Sequence, residues 1–179
     1  TVVLSDLYEW YYHRLGHIYK PFWARHKAHH LFYNPSPFAV IADDYVDQFM
    51  RSMPLVILPM LFPLNIDMMF LTYVVFFYGY GVYLHWGHET EWPDAHHPWI
   101  NTAYQHYCHH AHSILKKPYH TGFFVKFWDI AVGSVWPEDK CGCVKCQDKK
   151  GLRSPAAWEK VRATLPNYSV LLSPRFWLT

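Results

Sequence analysis

Residues Met53 to Leu84 read MPLVILPMLFPLNIDMMFLTYVVFFYGYGVYL, with Asp67 as the one charged side chain. A helix needs roughly 20 apolar residues to cross a bilayer. The stretch is too long for one crossing and short for two. Pro63, Asn65 and Asp67 place turn chemistry near its middle. The expectation is a helical hairpin over about 44–84. Its first arm is proline-kinked and starts near Asp44–Gln48; its second runs from Ile66 to about Leu84. A buried hairpin in a soluble protein is the competing reading. The distribution of basic residues favours the membrane, because no Lys or Arg occurs from Ser52 to Leu115. A hairpin returns the chain to its starting side, so the basic flanks share one face, the cytoplasmic one by the positive-inside tendency.

The histidines lie on either side of this stretch. There are 14 in 179 residues. His13 and His17 stand four apart, and His26, His29 and His30 form an H-x-x-H-H box. His106, His109 and His110 repeat that box beyond the apolar segment. Residues three and four apart on a helix share a face, so each group presents its imidazoles together. Neutral imidazole ligates Fe, Zn and Cu. A tetrahedral zinc takes four ligands, or three and a water, so eight histidines suit two metals. Chemistry with O2 calls for a redox metal with open positions, which favours iron. A hairpin would bring the two half-sites to the same side of a membrane. A structural zinc cluster is the bland alternative.

Bulk properties fit this picture. The net charge of +2 gives no reason to invoke nucleic acid, and aromatics reach 20%, with nine Trp and fourteen Tyr. Such residues favour membrane interfaces. The mean hydropathy of −0.12 hides the apolar segment behind polar flanks. The chain starts at Thr1 without an initiator Met or a signal peptide, and reads as a processed or partial protein with further spans upstream. Ser5 is expected to cap a helix that Pro21 ends near Tyr19–Lys20. Helices are also expected over Asn101–His112, Phe123–Ile130 and Ala156–Leu165. Residues 1–135 read as the membrane domain and 136–179 as a polar, exposed, Cys- and Lys-containing C-terminal tail. Cys141, Cys143 and Cys146 have ligand-like spacing without an evident fourth ligand. His96, His97 and His112 read as ordinary surface or core histidines. Asp129, Glu89 and Asp94 are candidates for orienting ligand imidazoles.

Several motifs carry a resemblance. They are the run Tyr12–His30 (YHRLGHIYKPFWARHKAHH), Pro35-Ser-Pro-Phe-Ala39, His85-Trp-Gly87, Asn101-Thr-Ala-x-x-His106-x-x-His109-His110, and Phe127-Trp-Asp-Ile-x-x-Gly133-Ser134. In this order they resemble the sterol desaturase/fatty acid hydroxylase superfamily over roughly Asp6 to Ser134. Asn-x-Ala before the last box and Trp-Asp-x-x-x-Gly-Ser after it look most like the sterol C5-desaturase (lathosterol oxidase) branch. Lys126-Phe-Trp-Asp129 is also similar to fatty acid 2-hydroxylases. Tyr119-His120-Thr-Gly122 departs from the family, which carries Asn-Tyr-Gly there.

The resemblance implies an all-α integral membrane protein whose histidine-rich helical cap, on the cytosolic face of the endoplasmic reticulum, holds a di-metal centre. It implies two Fe ions, which Zn can replace in a purified sample, O2 as oxidant, and a membrane lipid, sterol or fatty acyl, as substrate. Electrons would come from cytochrome b5 and its NADH-dependent reductase. By motif, the ligands would be His13, His17, His26, His29, His30, His106, His109 and His110, with His85 a ninth; His88 is either a tenth or a neighbour. The expected function is lipid oxidation, with sterol C5-desaturation ahead of fatty-acid or sterol-methyl hydroxylation. A structural accessory subunit of a larger membrane complex is the reading from another class.

Overall fold

The computed structural model describes residues 1–178, which are mostly helical; among them β-pairing is limited to isolated bridges. Helix α1 spans Val2–Ile18 and α2 spans Lys20–His26. The break falls at Tyr19, in extended conformation, because Pro21 can occupy only the first turn of the next helix. Thr1, not Ser5, is the N-cap residue, and Ser5 is buried within α1. The second box does not lie on one helix. His26 ends α2, and His29 and His30 follow in a short 3-10 turn, His29–Leu31.

The apolar segment is interrupted between Leu61 and Ile66, and the parts on either side differ. The first is broken into α3 (Tyr45–Arg51) and α4 (Pro54–Leu61). Asp44 caps α3 by accepting from the Val46 amide at 2.9 Å. Pro54 lacks the amide that would continue α3, so the chain restarts there. An eight-residue helix is about 12 Å long, well short of the ~30 Å hydrocarbon core.

The second arm, α5, runs unbroken over Ile66–Leu84. Among the described residues it alone is long and apolar enough to cross a membrane. Asn65 caps it through the Met68 amide at 2.9 Å. Tyr73–Gly79 is wound as a π-helix, where Tyr73 stacks on Phe77, and Phe77 on Phe123. With Met69 and Leu84 these rings form the apolar core. Phe70, Val74 and Val75 on the same helix are exposed.

Helix α6 (Ala103–His112) carries the third box. Its start is fixed by a capping box, in which Thr102 accepts from the Gln105 amide while the Gln105 side chain accepts from the Thr102 amide. Helix α7 is shorter than expected, Phe127–Ala131. Helices α8 (Val144–Lys149) and α9 (Pro155–Arg162) follow. Part of the segment expected to form an exposed tail is docked, while most of residues 149–178 are exposed. Cys141, Cys143, Cys146 and Trp158 are buried, and Asn167 pairs with Trp92. The alternating Lys and Asp of this stretch conceal the four apolar anchors, which composition averages away.

An aromatic cleft of about 600 Å³ opens beside α5, lined by Phe76, Tyr80, Tyr83, Trp86, Trp92 and Phe124 among others. Gly81 holds α5 close to its neighbours. A Cβ there would lie 2.8 Å from Val40 Cγ2 and 3.3 Å from the Phe123 ring. Val40 is stiff about χ1 and Phe123 is core, so neither moves freely. Gly81→Val is therefore expected to cost about 1–3 kcal/mol, read as a lowered midpoint in thermal unfolding of the detergent-solubilised protein.

Candidate metal centre

Five chain segments converge on one buried spot. Glycine at position 16 lets α2 fold back on α1, since a Cβ there would meet the His26 ring at 3.3 Å. The C-terminal end of α5 delivers His85, and α6 delivers the third box. The imidazoles fall into two groups. His13, His17, His26, His30 and His109 form one, and His29, His85, His106 and His110 the other. Within each group the donor atoms all lie within 4.8 Å of one another. The boxes are thus interleaved: neighbours His29 and His30 serve different groups, as do His109 and His110.

Several of the ring nitrogens facing away from the groups lie beside acceptors. His13 Nδ1 lies 3.0 Å from Thr121 O, His85 Nδ1 2.7 Å from Gly81 O, and His109 Nδ1 2.7 Å from Tyr119 O. His26 Nδ1 is 3.1 Å from Asp47 Oδ2, and His29 Nδ1 is 2.9 Å from Asp43 Oδ1. Carbonyls and carboxylates only accept, so in the four hydrogen-bonded rings, His13, His26, His85 and His109, Nδ1 carries the proton and Nε2 is a bare lone pair; the His29–Asp43 contact has ion-pair distance without hydrogen-bond geometry. His85 Nε2, a bare lone pair, faces two imidazole nitrogens at once, His29 Nε2 at 3.2 Å and His106 Nε2 at 3.0 Å, and can accept a proton from only one of them.

A shared cation resolves that contact. Two nitrogens each about 2.1 Å from one metal lie about 3.0–3.4 Å apart. His85 to His106, His106 to His110, and His26 to His30 have Nε2 separations of 3.0, 3.2 and 3.2 Å. His13 Nε2, His109 Nε2 and both nitrogens of His17 are buried without a hydrogen-bond partner, an arrangement that natural proteins avoid unless something binds there. Burial, reinforced by neighbouring imidazoles, holds His13, His17, His26, His106, His109 and His110 well below the ordinary histidine value. It pushes His30 down to about 3. The rings are therefore neutral, the ligating form. The donor set fits two nitrogen-bound transition metals.

The matching family model is described as fatty acid hydroxylase and covers residues 1–134. The chain belongs to the fatty acid hydroxylase family. Human lathosterol oxidase is 29% identical over 130 residues, 73% of this chain and 42% of that protein. A probable Delta(7)-sterol 5(6)-desaturase of Neurospora crassa is 31% identical over 162 residues, 89% of this chain and 42% of its relative. The Delta(7)-sterol 5(6)-desaturase of Eremothecium gossypii is 30% identical over 159 residues, again 89% and 42%. The chain thus spans about two-fifths of the length of these curated relatives. No solved structure matches it.

Of the ten histidines expected at the metals, nine lie in the two groups. The tenth, His88, does not. It follows Gly87, whose φ of 75° turns the chain away beyond the end of α5, and it is exposed beside a cleft lined by Tyr33, Tyr104 and Tyr107. His120 lies outside both groups: its Nε2 accepts from the Trp136 amide at 3.0 Å. His112 stacks on Trp136.

The carboxylates that touch ligand imidazoles are not the expected ones. Asp129 accepts from the Thr121 and Gly122 amides at 3.1 and 2.6 Å, and so acts on His13 only through the Thr121 loop. Glu89 and Asp94 face the cysteine segment. Asp43 and Asp47, just ahead of the apolar stretch, hold His29 and His26. Both are held in turn: Tyr12 donates to Asp47 Oδ1 at 2.8 Å, and Arg51 bridges Asp43 and Glu9 at 3.2 and 3.1 Å. The signal available in the sequence was an Asp43-Asp44-x-x-Asp47 cluster just ahead of a long apolar stretch.

Partners of this kind typically alter metal affinity about 10–100-fold. Asp43→Asn replaces an acceptor-only group with one that can turn a donor toward His29. It is expected to raise the metal dissociation constant by that factor, measured as metal retained after a graded chelator challenge. In the unsubstituted protein, complete metal removal leaves the facing lone pairs uncompensated. The thermal unfolding midpoint is expected to fall by several degrees and to recover on readdition.

Proposed function

We propose that this chain is the metal-binding part of a membrane-bound, O2-dependent lipid oxidoreductase, with a sterol as substrate and C5-desaturation as the reaction. The observation carrying the proposal is the interleaved nine-histidine centre at the end of an apolar helix with an aromatic cleft beside it. The names of the similar proteins in human, Neurospora crassa and Eremothecium gossypii supply the substrate class.

Two irons bound by the two histidine groups would supply the redox chemistry that activates O2 and attacks an unactivated C–H bond. What this chain contributes is derived from its own residues. Asp47 and the three carbonyls keep the protons on Nδ1 of His26, His13, His85 and His109 and so keep those Nε2 atoms free to ligate, and Asp43 lies against His29 Nδ1. Tyr12, Arg51 and Glu9 fix those carboxylates, so the rings need no reorganisation on binding. Near-complete burial of eight of the nine rings, with His30 half-buried, limits bulk water, which protects a reactive centre from side reactions. The cleft's volume is that of a small-molecule site. The helix that lines it, α5, ends in His85, so a lipid held there would present its ring system toward the centre.

In this reading α5 crosses the bilayer and the α3–α4 arm dips into it. Exposed Phe70, Val74 and Val75 face acyl chains. The basic residues and histidine groups lie on the cytosolic face of the endoplasmic reticulum, within reach of cytochrome b5 or a similar donor. Hydroxylation of a fatty acyl chain or a sterol methyl is the second reading, favoured by the description of the matching family model.

The test is expression of the intact protein in a strain lacking sterol C5-desaturase, with sterol profiling and iron analysis of the purified protein. Restored C5-unsaturated sterol and about two irons per chain are expected. His29→Ala and His109→Ala are expected to abolish the product and lower bound iron. Gly79→Phe, which fills the cleft, is expected to lose product while keeping its iron. Iron-replete protein that leaves the sterol profile unchanged would overturn the substrate; protein holding neither iron nor zinc would overturn the centre.

A further inference from the structure

A second cluster of ligand-type side chains lies outside the histidine centre. His96 Nε2 faces three sulfurs at once: Cys146 Sγ at 3.1 Å, Cys143 Sγ at 3.2 Å and Cys141 Sγ at 3.5 Å. The four donor atoms all lie within 4.8 Å of one another. One imidazole nitrogen can accept a single S–H, so hydrogen bonding accounts for one of these contacts and not for three. A tetrahedral zinc about 2.3 Å from sulfur and about 2.0 Å from nitrogen sets N···S separations of about 3.5 Å, close to those seen.

We propose that His96, Cys141, Cys143 and Cys146 form a closed, four-ligand structural zinc site, distinct from the histidine centre. Its ligands combine a C-x-C-x-x-C run with a histidine from 45 positions before its first cysteine. Local structure presets the geometry. Cys143 is the N-cap of α8, and the Cys146 amide donates to its Sγ at 3.4 Å; Lys145, also on α8, reaches Asp94 at 3.3 Å. The His96 amide donates to Asp94 Oδ1 at 2.7 Å, which holds the upstream loop against the same helix. All three cysteines are buried, and all are free thiols.

The stretch around them explains why a metal is useful here. EDKCGCVKCQDKKG has almost no apolar side chains, and a six-residue helix is unstable on its own. Metal binding supplies folding energy where a core cannot. On binding, up to three thiol protons are released to solvent, and no oxidation is involved.

The site also has a place in the larger architecture. Tyr104 on α6 accepts from the Gly142 amide at 2.9 Å and lies 3.7 Å from Cys141 Sγ. On a 3.6-residue repeat, Tyr104 and Cys108 occupy the face of α6 opposite His106, His109 and His110. A zinc clamp there backs the helix that carries the third histidine box and pins the loop bearing Trp92, one wall of the aromatic cleft.

The experiment is zinc-edge X-ray absorption and metal counting on the full, detergent-purified chain. The expected result is one zinc per chain with a sulfur shell at about 2.3 Å, a signature that an all-histidine centre cannot give. Cys143→Ser is expected to lose the sulfur shell and that zinc while retaining iron. His29→Ala is expected to lower iron and retain the sulfur-bound zinc. Because Cys143→Ser protein can also fail to fold, the unsubstituted protein is titrated with a mercurial thiol reagent, which should release one zinc per chain as the thiols are consumed. A zinc shell without sulfur, rapid alkylation of Cys141, Cys143 and Cys146 in metal-replete protein, or a disulfide among them would each overturn the proposal.

Discussion

Nitrogen lone pairs that point at one another govern this fold. Burying neutral imidazoles is tolerable when each nitrogen has a partner. Here the outward nitrogens of His13, His26, His85 and His109 are satisfied by Asp47 and three backbone carbonyls, which commits their inward nitrogens to facing neighbouring rings unprotonated. The arrangement is costly unless cations sit between the rings. Most other features follow from that requirement. The network Glu9–Arg51–Asp43 ties α1 to α3, and Asp129 shapes the loop whose Thr121 carbonyl orients His13. The close approach at Gly16 brings α2 onto α1. Each element is positioned so that a ring presents the correct nitrogen, and the apolar core around Phe77 and Phe123 supplies the rigid floor.

Much of this was legible in the sequence because it is local. The spacings of His13 with His17 and of His106 with His109 and His110 mark helix faces, and Pro21 marks a break. Family membership follows from the order of the motifs. What the sequence hid was tertiary. Adjacent residues on a helix point about 100° apart, so His29 and His30 were bound to diverge; only the packed structure decides which group each joins. Asp43 and Asp47 read as helix-start chemistry, and their contact with imidazoles depends on how α2 packs on α3. His96 was discounted as an isolated histidine because its sulfur partners lie some 45 residues away.

The tail and the first arm of the hairpin are instructive failures. Average polarity made residues 136–179 look solvated, yet three cysteines and Trp158 anchor them. Composition is blind to a few buried anchors among many charges. The first arm looked like one kinked helix. The proline at 54 restarts the chain rather than bending it, because a missing amide and a ring clash together favour a new helix start over a strained continuation.

The interleaving of the boxes bears on the order of events during synthesis. Neither histidine group draws on one region of the chain. The first needs residues from positions 13 to 109, and the second from 29 to 110. Such long separations make closure slow and entropically demanding. Both groups therefore wait for α6, the last segment to leave the ribosome among those involved. The two histidine groups then close as a pair, late, and a chain halted before α6 would leave the imidazoles of the first two boxes without their partners.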